Sequence, residues 1–364
     1  MRPPPILSAY LGRHFIGGIA MMMGILLGLV FLIDLAELFR RSWGRENISF
    51  WIIIQMAIYK IPFMAQKVLP FAALFGGMLA FVRLTRTNQL VVARAAGLSV
   101  WQFLFPALAI ALVGGLFVVT LFNPLASATT SLYESLESKH LRGRSSLLAV
   151  SKSGLWLRQA DESGKSVIHA QGVSQHGTEL SDVIVFLYDG TDKFTGRIDA
   201  NAATLEPGHW RLVDALITGP DQPVKSANEF QLPTTLTLAQ IQDSFASPET
   251  LSFWSLPRFI DTLERAGFSA LRHRLHWHSI LAGPLLLCAM VLIAATFSIR
   301  LNRRGGAGLL AAGGVFAGFL LYFFSDVVYA MGLSGAVPVA LAAWAPAGIC
   351  ALLGLTTLFH LEDG

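Results

Sequence analysis

The residues most able to do chemistry close an apolar run: Asp34, Glu37, Arg40 and Arg41, in FLIDLAELFRR. At helical spacing Asp34 and Glu37 share a face, and Glu37 reaches Arg41. One reading is an ordinary intrahelical ion pair. The sharper one is a charged rim around a cavity, with Arg40 and Arg41 meeting an anionic headgroup, because a planar guanidinium pairs well with phosphate. Lys60 and Lys67, in the next apolar run, would add to the same rim. Asp326 sits deep in another such run, LLYFFSDVVYAMG. A carboxylate there either faces protein or a wet cavity, or lies at interface depth with water in reach.

Other polar clusters carry less. Gly164, Lys165 and Ser166 invite a phosphate-loop reading, but Gln159 stands where its first glycine belongs and the segment reads as a hairpin. His273, His276 and His278 do not share one helical face, so a polar belt at a membrane surface is expected there rather than a metal site. Cys288 and Cys350 lie in apolar runs and read as small buried hydrophobes, without disulfide or metal spacing. No nucleophile, base and orienting group fall into a hydrolase or zinc-protease pattern, so an enzyme is not expected.

A different kind of site is written in RLTRTNQLVVARAAGLSVWQF, residues 83–103, a polar and helix-prone stretch between two apolar runs. Thr87 or Asn88 can cap a short helix, and Gly97 suits its C′ position. The stretch is either a tight surface turn or a peg that carries motion from a cytoplasmic machine into the flanking spans.

The elements that must position these residues are membrane helices. Of 364 residues 54% are hydrophobic and 14% charged, and the mean hydropathy of +0.57 is far from a soluble balance. A bilayer core of about 30 Å needs about 20 apolar residues as helix. Six segments qualify: Phe15–Ile33, Ile48–Val82, Leu98–Phe122, Ser279–Ile299, about 306–329 and about 337–359. The first is too long for a signal-peptide core and reads as a retained anchor. The second contains Pro62 and Pro70, so a kink or a projection beyond the membrane is expected. Arg2, Arg13, Arg83, Arg86, Arg94, Arg300, Arg303 and Arg304 all fall on one side, which places both termini in the cytoplasm. Arg40, Arg41 and Arg45 are discordant, falling outside on this topology.

The polar middle is rich in strand and turn signals. DVIVFLYDGTDKF and LEPGHWRLVDALITG read as strands with Asp-Gly and Pro-Gly turns. The expected fold class is a six-helix membrane protein, three plus three, with an inserted extracytoplasmic β-jellyroll domain. The expected divisions are 1–122 for spans one to three with a coupling helix at about 87–97, 123–254 for the β domain, 255–278 for an interfacial helix, and 279–364 for spans four to six.

TRTNQLVVARAAG, FLIDLAELFRR, GVFAGFLLYFFSDVVYAMG and VPVALAAWAP together resemble the LptF/LptG family of lipopolysaccharide-export permeases, on its LptG side. The similarity covers nearly the whole chain. It implies a subunit of an ATP-driven lipopolysaccharide extractor in a Gram-negative inner membrane. Such a subunit pairs with LptF, sits on a dimer of the ATPase LptB, which binds the ATP and magnesium, and works with LptC. The chain itself then needs no cofactor. Arg86, Asn88, Gln89, Leu90, Val91, Arg94 and Gly97 match the segment that docks on LptB, with Gln89 where the family usually has glutamate. Arg40 and Arg41 match basic residues that touch lipid A phosphates, whereas Asp34 stands where a lysine is expected. Exposing one acyl chain of about 14 carbons to water would cost on the order of 10 kcal/mol. The lipid is therefore expected to slide from bilayer to an apolar cavity and then to an apolar β interior. Two other readings are the paralogous LptF, and a mechanotransmission permease that carries no lipid.

Overall fold

The computed structural model describes residues 5–43, 49–89, 92, 95, 97, 99–142, 148–151, 154–161, 164–173, 179–189, 193–220, 223–234, 236–237, 246–265, 269–299 and 307–362. These form two compact units. One comprises residues 1–136, 249–254 and 274–364, the other 137–248 and 255–273.

The first unit is helical. α1 (Pro5–Ser42) and α2 (Phe50–Arg86) precede α3 (Val100–Phe117), which passes through a π turn (Val118–Phe122) into α4 (Asn123–Glu137). After the β region come α5 (Leu256–Arg265), α6 (Leu271–Ile299), α7 (Ala307–Leu333) and α8 (Val339–Glu362). Among the described residues, six helices are long and apolar enough to span a membrane. α2, despite Pro62 and Pro70, is one continuous helix of 37 residues, about 55 Å long at 1.5 Å per residue. It therefore exceeds a perpendicular span, as its length in sequence implies.

Close helix crossings depend on missing side chains. A Cβ on Gly18 would lie 2.4 Å from the Gly76 carbonyl oxygen, and one on Gly76 would lie 2.6 Å from the Ile19 Cα, so α1 and α2 touch backbone to backbone. Phe15, Leu74, Leu104, Met290 and Ala294 fill the core between α1, α2, α3 and α6. Half of the apolar stretch of α2 is buried but only 6% of that of α1, so α2 is central and α1 peripheral.

The third membrane helix is longer than its apolar run. Asn123-Pro124 reads as a stop, yet the helix continues. A proline at 124 withholds the N–H that would meet the Thr120 carbonyl. The π turn widens the helix at that point, and the Trp254 indole Nε1 donates to Thr120 O at 3.0 Å instead. Phe253 N donates to Asn123 Oδ1 at 2.7 Å one turn on. The helix thus carries past the expected boundary at 122. The segment expected as one helix over 255–278 is also divided, since α5 ends at Arg265 and residues 271–278 are the first turns of α6.

The second unit contains β1 (Leu148–Ser151), β2 (Gly154–Asp161), β3 (Gly164–Val173), β4 (Glu179–Tyr188), β5 (Phe194–Glu206), β6 (His209–Thr218) and β7 (Lys225–Pro233). They form one antiparallel sheet in sequential order. The expected fold class holds, and the hydrogen bonding of its β domain is that of a meander. Gly208, at φ +87°, takes the position in the Pro207-Gly208 turn that favours glycine. Lys165 pairs with Ala160 in the β2–β3 hairpin, which accounts for the Gly-Lys-Ser run as ordinary strand.

Alternation gives this sheet one apolar face. Leu157, Ile168, Val185 and Ile198 are register partners on successive strands, and each is 2% exposed or less. Such burial by a single layer needs the sheet to bend over its own face. Two features bend it. Asp182 on β4 and Asp214 on β6 have φ of +52° and +55° and are left out of the pairing beside Asn201 on β5, a line of interrupted pairing across three strands with the register kept on both sides. Buried Gln159 of β2 donates to the Pro233 carbonyl at 3.1 Å and accepts from Thr234 Oγ1 at 2.7 Å, although β2 and β7 are not sheet neighbours. α5 buries Leu256 and Leu263 completely within the same unit and packs against β1.

Candidate functional site

The charged rim lies at the C-terminal end of α1. Glu37 accepts from Arg40 through Nε at 2.7 Å and Nη2 at 2.8 Å, and from Arg41 Nε at 2.8 Å. One carboxylate so orients two guanidiniums, with the Arg40 side chain 77% exposed. A turn earlier, Lys60 of α2 donates to Asp34, an ion pair whose side chains are only 25% and 11% exposed. The Lys60 ammonium also lies 5.3 Å from the centre of the Tyr133 ring of α4. Asp34 therefore does not leave a bare anion in place of the expected lysine. It holds a cation supplied by the neighbouring helix.

Lys67, two turns further along α2, places its ammonium 4.7 Å from the Phe63 ring. Phe71 meets Tyr322 of α7 at 6.0 Å. Lys67 and Asp326 each lie one turn from that contact toward the rim end, so they share a level on adjacent helices. Asp326 is exposed on α7 and has no ion-pair partner among the described residues. The fold thus joins Asp34 to Lys60 and Glu37 to Arg40 and Arg41, and sets Lys67 and Asp326 at a second level. Sequence reasoning missed Tyr133, because only the unforeseen continuation of the third helix brings its ring to Lys60.

The segment between α2 and α3 is bounded by two reversals. Asn88 has φ +58°, a conformation its short polar side chain tolerates. Its N–H donates to Thr85 O at 3.0 Å, closing α2, while its carbonyl accepts from Val92 N at 3.0 Å, opening the next turn. Gln89, Val92 and Ala95 are helical, and Gly97, at φ +84°, ends the segment. Ser99 and Gln102 then form a reciprocal capping box at the start of α3. Arg86 is exposed at the end of α2, and the Gln89 side-chain oxygen has no hydrogen-bond partner among the described residues. Leu90, Val91 and Arg94 lie outside the described residues.

His273 is buried, and its Nε2 donates to the Ala246 carbonyl at 2.9 Å beside the Phe259 ring, a structural role rather than part of a surface belt. Among the described residues no cluster of His, Cys, Asp or Glu could hold a metal ion.

Among the described residues, six membrane-length helices, a β domain inserted after the third, and a charged rim on the first two define a multi-pass membrane protein. A family model described as lipopolysaccharide export system permease LptF/LptG matches residues 9–360. The chain belongs to that family, and is therefore an inner-membrane transport component. It is similar to the lipopolysaccharide export system permease protein LptG of Haemophilus influenzae, 24% identical over 327 residues, 88% of this chain and 89% of that one. LptG of Escherichia coli K12 is 22% identical over 366 residues, covering 99% of each chain.

Proposed function

We propose that this chain is the LptG-type permease subunit of an ATP-driven lipopolysaccharide extractor. It pairs with an LptF-type paralogue and LptC on a dimer of the ATPase LptB. The observation that carries this reading is the family match over nearly the whole chain, with relatives named LptG at 22–24% identity. ATP and magnesium are bound by LptB, and this chain binds no cofactor. Both termini and the segment at 87–97 face the cytoplasm, on the grounds of the arginine-rich short connections, and the β domain is periplasmic.

In this mechanism lipid A phosphates meet Arg40 and Arg41, with Glu37, Asp34 and Lys60 fixing the rim and Lys67 and Asp326 bordering the cavity below. Closure of the ATPase pushes the segment carrying Arg86, Asn88, Gln89, Leu90, Val91 and Arg94, with Gly97 as its end stop. The cavity collapses and the lipid moves toward the β domain, whose apolar face suits acyl chains. With Gln89 in place of glutamate, the contact with the ATPase is a neutral hydrogen bond. The test is purification of the complex from native membranes with identification of its proteins and lipids. The reading predicts a distinct paralogue, an ATPase and bound lipopolysaccharide. A complex with its ATPase but without that lipid would favour a mechanotransmission permease, and a partner that is itself LptG-like would assign this chain to the LptF role.

A further inference from the structure

A groove of about 280 Å³ opens between the N-terminal part of α1 and the C-terminal end of α2, bordered by Arg13, His14, Gly17, Met21, Leu79 and Arg83. Arg13 lies 27 residues before Arg40 on the same helix, about 40 Å away at 1.5 Å per residue, so the groove is at the opposite end of α1 from the rim. Its chemistry is divided along its length. Arg13 and Arg83 stand at one end, both exposed and neither with a carboxylate partner among the described residues. Met21 and Leu79 line the other end, and Gly17 adds no side chain to the floor. From Arg13 to Met21 the helix advances about 12 Å, enough for a headgroup and the first carbons of an acyl chain.

We propose that this groove binds an anionic diacyl phospholipid of the leaflet at the Arg83 end. Its phosphodiester lies between Arg13 and Arg83, and one acyl chain follows Gly17, Met21 and Leu79. Two guanidiniums without carboxylate partners among the described residues are matched by a phosphodiester, and no lining carboxylate opposes it. His14 adds selectivity. Its Nδ1 donates to the Tyr10 carbonyl, which only accepts, at 3.0 Å, so Nε2 is the ring atom left for a headgroup. A glycerol headgroup offers hydroxyls, which can donate to or accept from that nitrogen, whereas a choline headgroup offers neither. The inference needs only the membrane crossing, not the identity of the transported lipid, so it survives if the extractor reading fails.

The test uses the full-length chain in its native complex, delipidated in detergent and offered phosphatidylglycerol and phosphatidylcholine in equal amounts, with native mass spectrometry as readout. The complex should retain phosphatidylglycerol about tenfold over phosphatidylcholine, because both carry the phosphodiester but only phosphatidylcholine brings a second cation, its trimethylammonium group, up to the two guanidiniums. Arg13→Ala with Arg83→Ala should remove most of that preference and leave only the part His14 supplies. Gly17→Leu fills the floor, and because a Cβ there meets nothing within 4 Å it should lower retention without lowering thermal stability. Inorganic phosphate should not displace the lipid. Equal retention of both lipids, retention unchanged in both variants, or displacement by inorganic phosphate alone would each overturn the proposal.

Discussion

The two ends of the α1–α2 pair solve the same electrostatic problem in opposite ways. At the end carrying Asp34 and Arg41, three of the four cations are engaged by carboxylates of this chain, Lys60 by Asp34 and both arginines by Glu37. At the end carrying Arg13 and Arg83 no carboxylate of the described residues meets either guanidinium. Cations held by internal partners are pre-oriented and cost little further ordering when an anion arrives. Cations left open depend on something outside the chain for neutralisation. The first arrangement suits a lipid that must be gripped and released. The second suits a resident ligand.

The largest effect should come from residues 87–97, next to the open end, for which a coupling role is proposed. Replacing Leu90 and Val91 with aspartate should abolish lipopolysaccharide export while ATP hydrolysis by the complex continues, measured in proteoliposomes. Unchanged export would remove the segment from the mechanism. At the engaged end, Lys60→Met leaves Asp34 as a largely buried unpaired charge and should destabilise the helical unit by about 3 kcal/mol. Adding Asp34→Leu should recover most of that loss in detergent unfolding, since removal of both partners leaves no stranded charge. Arg40→Glu with Arg41→Glu should lower copurified lipopolysaccharide about tenfold with only a small loss of stability, because the broken pairs to Glu37 are solvent-exposed. Gln159→Leu, which breaks the clasp between β2 and residues 233–234, should cost about 1–2 kcal/mol in the β unit and leave both ends of α1 untouched.

Much of this was legible in the sequence, because a membrane helix announces itself by length and hydropathy and a hairpin by its turn residues. Thr87 or Asn88 and Gly97 were readable as the limits of a short segment for the same local reason, their capping chemistry, and the positive φ at Asn88 and Gly97 marks those limits in the backbone. What stayed hidden was set by contacts between distant residues. Asp34 and Lys60 are 26 positions apart, and nothing local marks them as a pair. Asn-Pro at 123–124 carries a break signal that a π turn and a tryptophan from residue 254 overrule. Gln159 looked notable only as the wrong residue for a phosphate loop, yet it joins strands that the sheet order keeps apart.

The most direct measurement places a photoreactive amino acid at Leu32, 64% exposed near the rim, and at Ile16, 53% exposed toward the other end, in the assembled complex. The account predicts that Leu32 captures lipopolysaccharide and that the adduct fades when ATP is added, while capture at Ile16 shows no response to ATP. Lipopolysaccharide captured equally at both positions, or an adduct at Leu32 indifferent to ATP, would contradict it.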